Sequence, residues 1–139
     1  MATANTYLNF NGNTEEAFNF YKSVFGGEFA MLQRLKDTPD ADKIPEGDKE
    51  KIMHVSLPIG SNMLMGTDVM ESMPKVIFGT NSSICLSPDS EEEAKKLFDG
   101  LSAGGQVGMP LEKMFWGALF GFFTDKFGVQ WMVNYEIKQ

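Results

Sequence analysis

The two halves of this 139-residue chain repeat one another, and that repeat limits what the chain can fold into. Thr6-Tyr7-Leu8-Asn9-Phe10 reads as a short strand and Asn11-Gly12-Asn13 as a turn. Thr14 to Tyr21 reads as a helix with an acidic start, and Gly26-Gly27 ends it. About 77 residues later Ser83 to Ser87 is the strand, Pro88-Asp89-Ser90 the turn, and Glu91 to Phe98 the helix, ending at Gly104-Gly105. Ala17 pairs with Ala94, Phe20 with Leu97, Tyr21 with Phe98 and Gly27 with Gly104. A period of this length is one supersecondary unit used twice, with function expected at the seam.

Local chemistry supports the repeat. Asn13 or Thr14 is placed to cap the first helix, and Glu15 and Glu16 suit its positive end. Ala17, Phe20, Tyr21 and Val24 recur at helical spacing and are expected to face a sheet. Along Ile52 to Ile59, alternation puts Met53, Val55, Leu57 and Ile59 on one face and His54, Ser56 and Pro58 on the other. Further strands are expected over 28–35, 63–67, 106–110, 115–124 and 129–136, and the second helix over 90–102. The order is β-α-β-β-β, twice. That predicts an α+β fold with helices packed outside curved sheets. The chain reads as a single domain, 1–139, built of modules at about 1–72 and 80–139.

Composition narrows the function classes. The net charge is −7 and no basic cluster stands out, which argues against nucleic acid and anionic membranes as partners. Cys85 is the single cysteine, so no intramolecular disulfide forms. The first residues have neither the basic nor the apolar region of a signal peptide. The most apolar run, Met114 to Phe123, is far shorter than the ~20 residues of a membrane helix. A soluble, cytoplasmic setting is expected. Asp37 to Lys51 holds nine charged residues, two prolines and one glycine. It reads as a solvated loop, with a lid as the alternative. Gly26-Gly27 and Gly104-Gly105 end helices rather than open them, so no Rossmann or P-loop phosphate site is expected. No feature supports S-adenosylmethionine binding, and no Ser-His-Asp arrangement is evident.

The doubled pattern resembles the vicinal-oxygen-chelate superfamily of glyoxalase I, extradiol dioxygenases and the fosfomycin- and bleomycin-resistance proteins, and within it the PhnB-like branch. Four stretches carry the likeness: Tyr7 to Asn13 with Glu16-Ala17 and Phe20-Tyr21; Val24-Phe25-Gly26-Gly27; Met53-His54-Val55; and a C-terminal signature. That signature is Met109-Pro110-Leu111, Phe115-Trp116-Gly117, Phe120-Gly121 and Thr124 to Trp131. The resemblance spans nearly the whole chain. It implies two βαβββ half-barrels with a ligand cleft inside, and a homodimer. Metal-dependent members of the superfamily hold an octahedral divalent ion with His and Glu residues, and the ion polarises the substrate.

Carried onto this chain, the ligand positions fall on Thr6, Ser83 and Met132, with a fourth near Met65 or Gly66. These are poor ligands for Ni²⁺, Zn²⁺ or Mn²⁺. The only histidine is His54. The expectation is therefore no cofactor and no metal. The leading reading is a non-catalytic small-molecule binding protein, touched in its cleft by His54, Cys85, Trp116 and Met132. Trp116 beside Gly117 is the aromatic most suited to a binding wall. The alternative is a glyoxalase-like lyase or isomerase, with a divalent metal at a non-standard site around His54 and Asp68 or Glu112.

Overall fold

The computed structural model describes residues 2–137. The chain divides into two compact units between Ile77 and Phe78. The first runs β1 (Thr6–Phe10), α1 (Thr14–Phe25), β2 (Met31–Arg34), β3 (Ile52–Ile59) and β4 (Asn62–Asp68). The second runs β5 (Ile84–Leu86), α2 (Glu91–Ser102), β6 (Gln106–Lys113), β7 (Ala118–Thr124) and β8 (Gln130–Glu136). Each unit forms one four-stranded sheet, in the orders β1-β4-β3-β2 and β5-β8-β7-β6. The first strand of each pairs parallel to the last, and the other pairs are antiparallel. This is the α+β, doubled βαβββ architecture expected from the repeat.

Both helices bury one stripe against their sheet. In α1 the stripe is Thr14, Ala17, Phe18, Tyr21 and Val24. Phe18 takes the inner place expected for Phe20, because Gly66 on β4 leaves room for its ring. A Cβ at residue 66 would lie 2.5 Å from Phe18 Cε1. In α2 the buried residues are Ala94, Leu97, Phe98 and Leu101. Gly121 on β7 makes the same allowance, since a Cβ there would lie 2.8 Å from Phe98 Cε2.

The helix starts differ. Ser90 accepts a hydrogen bond from Glu93 N at 3.0 Å, and Glu93 accepts one from Asp89 N at 2.8 Å, so α2 is capped by its own neighbours. Asn13 supplies no side-chain cap to α1. Asp68, at the end of β4, does so instead. Its Oδ1 accepts from Gly12 N and Thr14 N, each at 3.0 Å, and from Thr14 Oγ1 at 2.6 Å. Its Oδ2 accepts from Ile52 N at 2.9 Å.

Strand β3 departs from simple alternation. Gln33 lies opposite His54 but Arg34 opposite Ile52, so Met53 is an extra residue, a bulge. Ile52 therefore joins Val55 and Leu57 in the core, and Met53 is exposed rather than in their row. The charged 37–51 segment is folded and tied down. It contains short helical turns at Ala41–Lys43 and Glu46–Asp48. Leu35 N and Lys36 N donate to Lys51 O and Lys49 O. Asp48 is buried, with Lys51 Nζ at 2.6 Å. That ammonium, with help from Glu71 N, holds the Asp48 carboxyl below the usual carboxylate range.

Candidate functional site: the open faces of the two sheets

In each unit a helix covers one face of the sheet and leaves the other open. The open face of the second unit is the more apolar. Phe120 and Phe122 on β7 and Met132 on β8 alternate with the buried Leu119, Phe123, Trp131 and Val133. Met132 is paired with Phe122 on one side and with Cys85 on the other. The three side chains therefore form one row across the sheet. Asn134, opposite Phe120, and Gln130, opposite Thr124, add polar groups to the same face. Cys85 is exposed there.

Trp116 extends this surface. The strand expected from residue 115 begins at Ala118, and Met114 to Gly117 form the turn before it. Met114 N donates to Ala118 O and Gly117 N to Met114 O. Gly117 has φ +89°, a conformation costly for any residue with a Cβ. The turn lays the Trp116 ring 5.9 Å from that of Phe120, which stands 6.3 Å from Phe122. Phe115 adds an edge contact to Trp116 at 5.0 Å and is itself almost wholly exposed. At the far end of this run lies a groove of about 160 Å³, lined by Ser83, Gln106, Gly108, Phe122 and Gln130 among others. Gly108 makes space for the Phe122 ring, which a Cβ would strike. Gln130 donates to Ser82 O at 2.6 Å, bracing the groove's edge. Glu112 stands exposed on the edge strand β6, opposite Phe120.

The open face of the first unit is more polar. Tyr7 on β1 meets His54 on β3, with phenol oxygen and Nδ1 3.2 Å apart. Between them on β4 lie Met65, opposite Tyr7, and Thr67. Gln33 is opposite His54.

Two expected site residues fall on the wrong side of this sheet. Thr6 alternates with Tyr7 and so points toward α1, leaving Tyr7 as the first-strand residue on the open face. The slip has a simple origin. Three residues, 11–13, join β1 to α1, whereas four, 87–90, join β5 to α2. An alignment through the helices is therefore out of step by one in the strands, which inverts the face. Asp68 is likewise on the helix side, buried, with both oxygens occupied as described. His54 and Asp68 stand on opposite faces and do not make the common site expected of them.

The donors present do not fit an octahedral divalent ion. The open face of the first unit offers Tyr7, His54 and Met65, and that of the second unit offers Ser83, Cys85 and Met132. Neither is the set of imidazoles and carboxylates such an ion takes, since the first has one imidazole and no carboxylate and the second has neither. Among the described residues no three His, Cys, Asp or Glu side chains gather to hold a metal.

Comparison with known proteins places this geometry. The family model described as 3-demethylubiquinone-9 3-methyltransferase matches residues 2–134. Protein YjdN of Escherichia coli (strain K12) is 32% identical over 136 residues, covering 92% of this chain and 91% of its own length. The structure of PA1353 from Pseudomonas aeruginosa has 43% identity and a TM-score of 0.87, covering 99% of this chain and 100% of that one. The PhnB protein from Bacillus cereus has 26% identity and a TM-score of 0.73, covering 96% and 99%. The fosfomycin resistance protein FosX from Mesorhizobium loti, at 9% identity, shares the fold with a TM-score of 0.60. The fold is one that a glyoxalase-related enzyme from Fulvimarina pelagi and FosX share. The chain belongs to the 3-demethylubiquinone-9 3-methyltransferase family, the PhnB-like family.

Proposed function

We propose that this chain is a small-molecule-binding protein that takes a flat, apolar or aromatic ligand on the open face of its second module, without the superfamily's metal. One observation carries the reading: the run Trp116–Phe120–Phe122 stands on a sheet face that no helix covers, beside Met132 and a groove edged by Ser83, Gln106 and Gln130. Aromatic rings gain most from stacking on flat partners, and a few polar groups orient what is bound. Met132 and Cys85 adjoin as polarizable, adaptable contacts. The protein works as a cytoplasmic homodimer in this reading, which the single unpaired cysteine suits. Metal-dependent lysis or isomerisation has less support, because His54 and Asp68 do not share a face. Methyl transfer has less support too, because no feature of the sequence points to S-adenosylmethionine binding.

Tryptophan fluorescence tests the reading. Trp131 is fully buried, whereas Trp116 is 54% exposed, so a bound quencher acts on Trp116. Menadione, a flat neutral quinone, is expected to quench saturably. Trp116→Phe should remove the response, and Phe122→Ala should weaken binding roughly tenfold for the lost ring contact. Quenching that does not saturate, or that survives Trp116→Phe, would sink the proposal. Elemental analysis after dialysis against Zn²⁺, Ni²⁺ and Mn²⁺ tests its metal-free part, where stoichiometric metal is the contrary result.

A further inference from the structure

The first module holds a cavity of about 250 Å³ away from the open face of its sheet, where the chain leaving β4 passes the turn between β1 and α1. We infer that this cavity binds a small zwitterion with an apolar body, an aliphatic α-amino acid, whose carboxylate meets Lys75 and whose ammonium meets Glu71.

The walls are held in place by the protein itself. Residues 69–75 supply most of the lining. Val69 N donates to Phe10 O at 2.9 Å, and Glu71 N to Asp48 Oδ1 at 3.3 Å. Met73 N closes a turn onto Met70 O at 3.0 Å. The Asn11 side chain then grips Val76 from both sides. Its Nδ2 donates to Val76 O at 3.1 Å, and its Oδ1 accepts from Val76 N at 2.8 Å. That amide is fully engaged, so it shapes the cavity and leaves recognition to other groups.

Three charged side chains line the cavity: Lys51, Glu71 and Lys75. Lys51 is already matched, since its Nζ lies 2.6 Å from the carboxylate of the buried Asp48. Its stem runs past Gly12, where a Cβ would stand 3.9 Å from Lys51 Cε. Glu71 and Lys75 are different. Neither side chain has an ion-pair partner among the described residues, and they do not pair with each other. In a helix, residues four apart would meet. Pro74 prevents that turn, because it fixes its own φ and biases Met73 before it toward extended backbone.

Two unmatched charges of opposite sign on one cavity are the complement of a zwitterion. A simple anion would satisfy Lys75 and meet repulsion from Glu71, and a simple amine would do the reverse. An α-amino acid offers both partners, each through a charge-assisted hydrogen bond. Val69, Met70 and Met73 supply the apolar lining, and the thioether side chains adapt to an aliphatic body. The volume lies under the roughly 300–1,000 Å³ of sites for drug-sized molecules, so the occupant is small. The site shares no residue with the second-module surface and does not depend on the reading proposed for it.

Three compounds with one branched body test the inference on the full chain. L-Leucine carries both charges, 4-methylpentanoate only the carboxylate, and 3-methylbutylamine only the ammonium. Binding is followed at pH 7 by NMR of ¹³C-labelled methionine methyls, with Met70→Leu and Met73→Leu assigning the two signals at the cavity. Leucine is expected to shift both saturably and to leave the Met132 signal and the Trp116 fluorescence unmoved. Each single-charge compound should bind about tenfold more weakly. Lys75→Gln should weaken leucine about tenfold and leave 3-methylbutylamine unchanged. Glu71→Gln should weaken leucine by a similar factor and leave 4-methylpentanoate unchanged. Both substitutions fall on exposed side chains, so the fold is retained. The inference is overturned if leucine does not shift the Met70 and Met73 signals, if either single-charge compound binds as tightly as leucine, or if either variant binds leucine like the wild type.

Discussion

The two modules start their helices by different means. Ser90 and Glu93 cap α2 within a single turn of chain. Asp68 caps α1 from a residue 54 positions away. The first arrangement is local and can form as the helix forms. The second exists only when β4 has paired with β1 and β3, so helix and sheet of the first module stabilise each other. The open faces differ as well. The second presents rings and sulfur, the first a hydrogen-bonded phenol and imidazole. One supersecondary unit, used twice, therefore carries two distinct surfaces.

The comparison can be broken by mutation. Asp68→Ala should have the largest effect, about 3 kcal/mol, because three backbone N–H groups and the Thr14 hydroxyl lose their acceptor. Urea unfolding would show it, and a loss no greater than that of Ser90→Ala would erase the distinction. Gly66→Ala should follow at about 2 kcal/mol, since the fully buried Phe18 has nowhere to move. Gly108→Ala also meets a ring, but Phe122 is 39% exposed and free to swing out, so its thermal midpoint should barely change. Ser90→Ala should cost about 1 kcal/mol, the usual value of a local cap.

The smallest effect concerns acid. The Arg34 guanidinium, hydrogen-bonded to Glu15, holds that carboxyl below its ordinary value, and Lys51 does the same for Asp48. A depressed folded value means that the contribution is fully present above the unfolded carboxylate range, near pH 4, and disappears as pH falls through the lowered folded value. Stability followed by urea midpoint should therefore hold from pH 7 to 5 and fall below about pH 4. Glu15→Gln and Asp48→Asn should flatten that fall. The second module has only the exposed Lys95–Glu91 pair among its described ion pairs, so substituting Glu91 should leave the acid limb unchanged.

Much of the architecture was legible along the chain. Helical spacing and glycine stops mark both helices, and the Ser90 cap follows from its own neighbours. Alternation located β3 but misplaced Met53, because a bulge is set by the partner strand. Helical spacing points to Phe20 rather than the buried Phe18, because nothing in the helix says that a glycine lies opposite. Asp68 and His54 lie in neighbouring strands of the sequence, and only the sheet shows that the two point oppositely. Tyr7 is not marked by the repeat, because alignment through the helices carries the wrong parity into β1. Its one available signal was the connector, three residues long in the first module and four in the second.

The amino-acid sequence by itself determined the elements, their order and the repeat, because each depends on periodicity and turn chemistry within a few residues. Tertiary structure decided which side chains share a face. It alone joined Tyr7 to His54, set Cys85, Met132 and Phe122 in one row, and spent Asp68 on a helix end. Strand parity depends on connector length, bulges and pairing register, and a hydrogen bond over 54 residues exists only after the chain has closed.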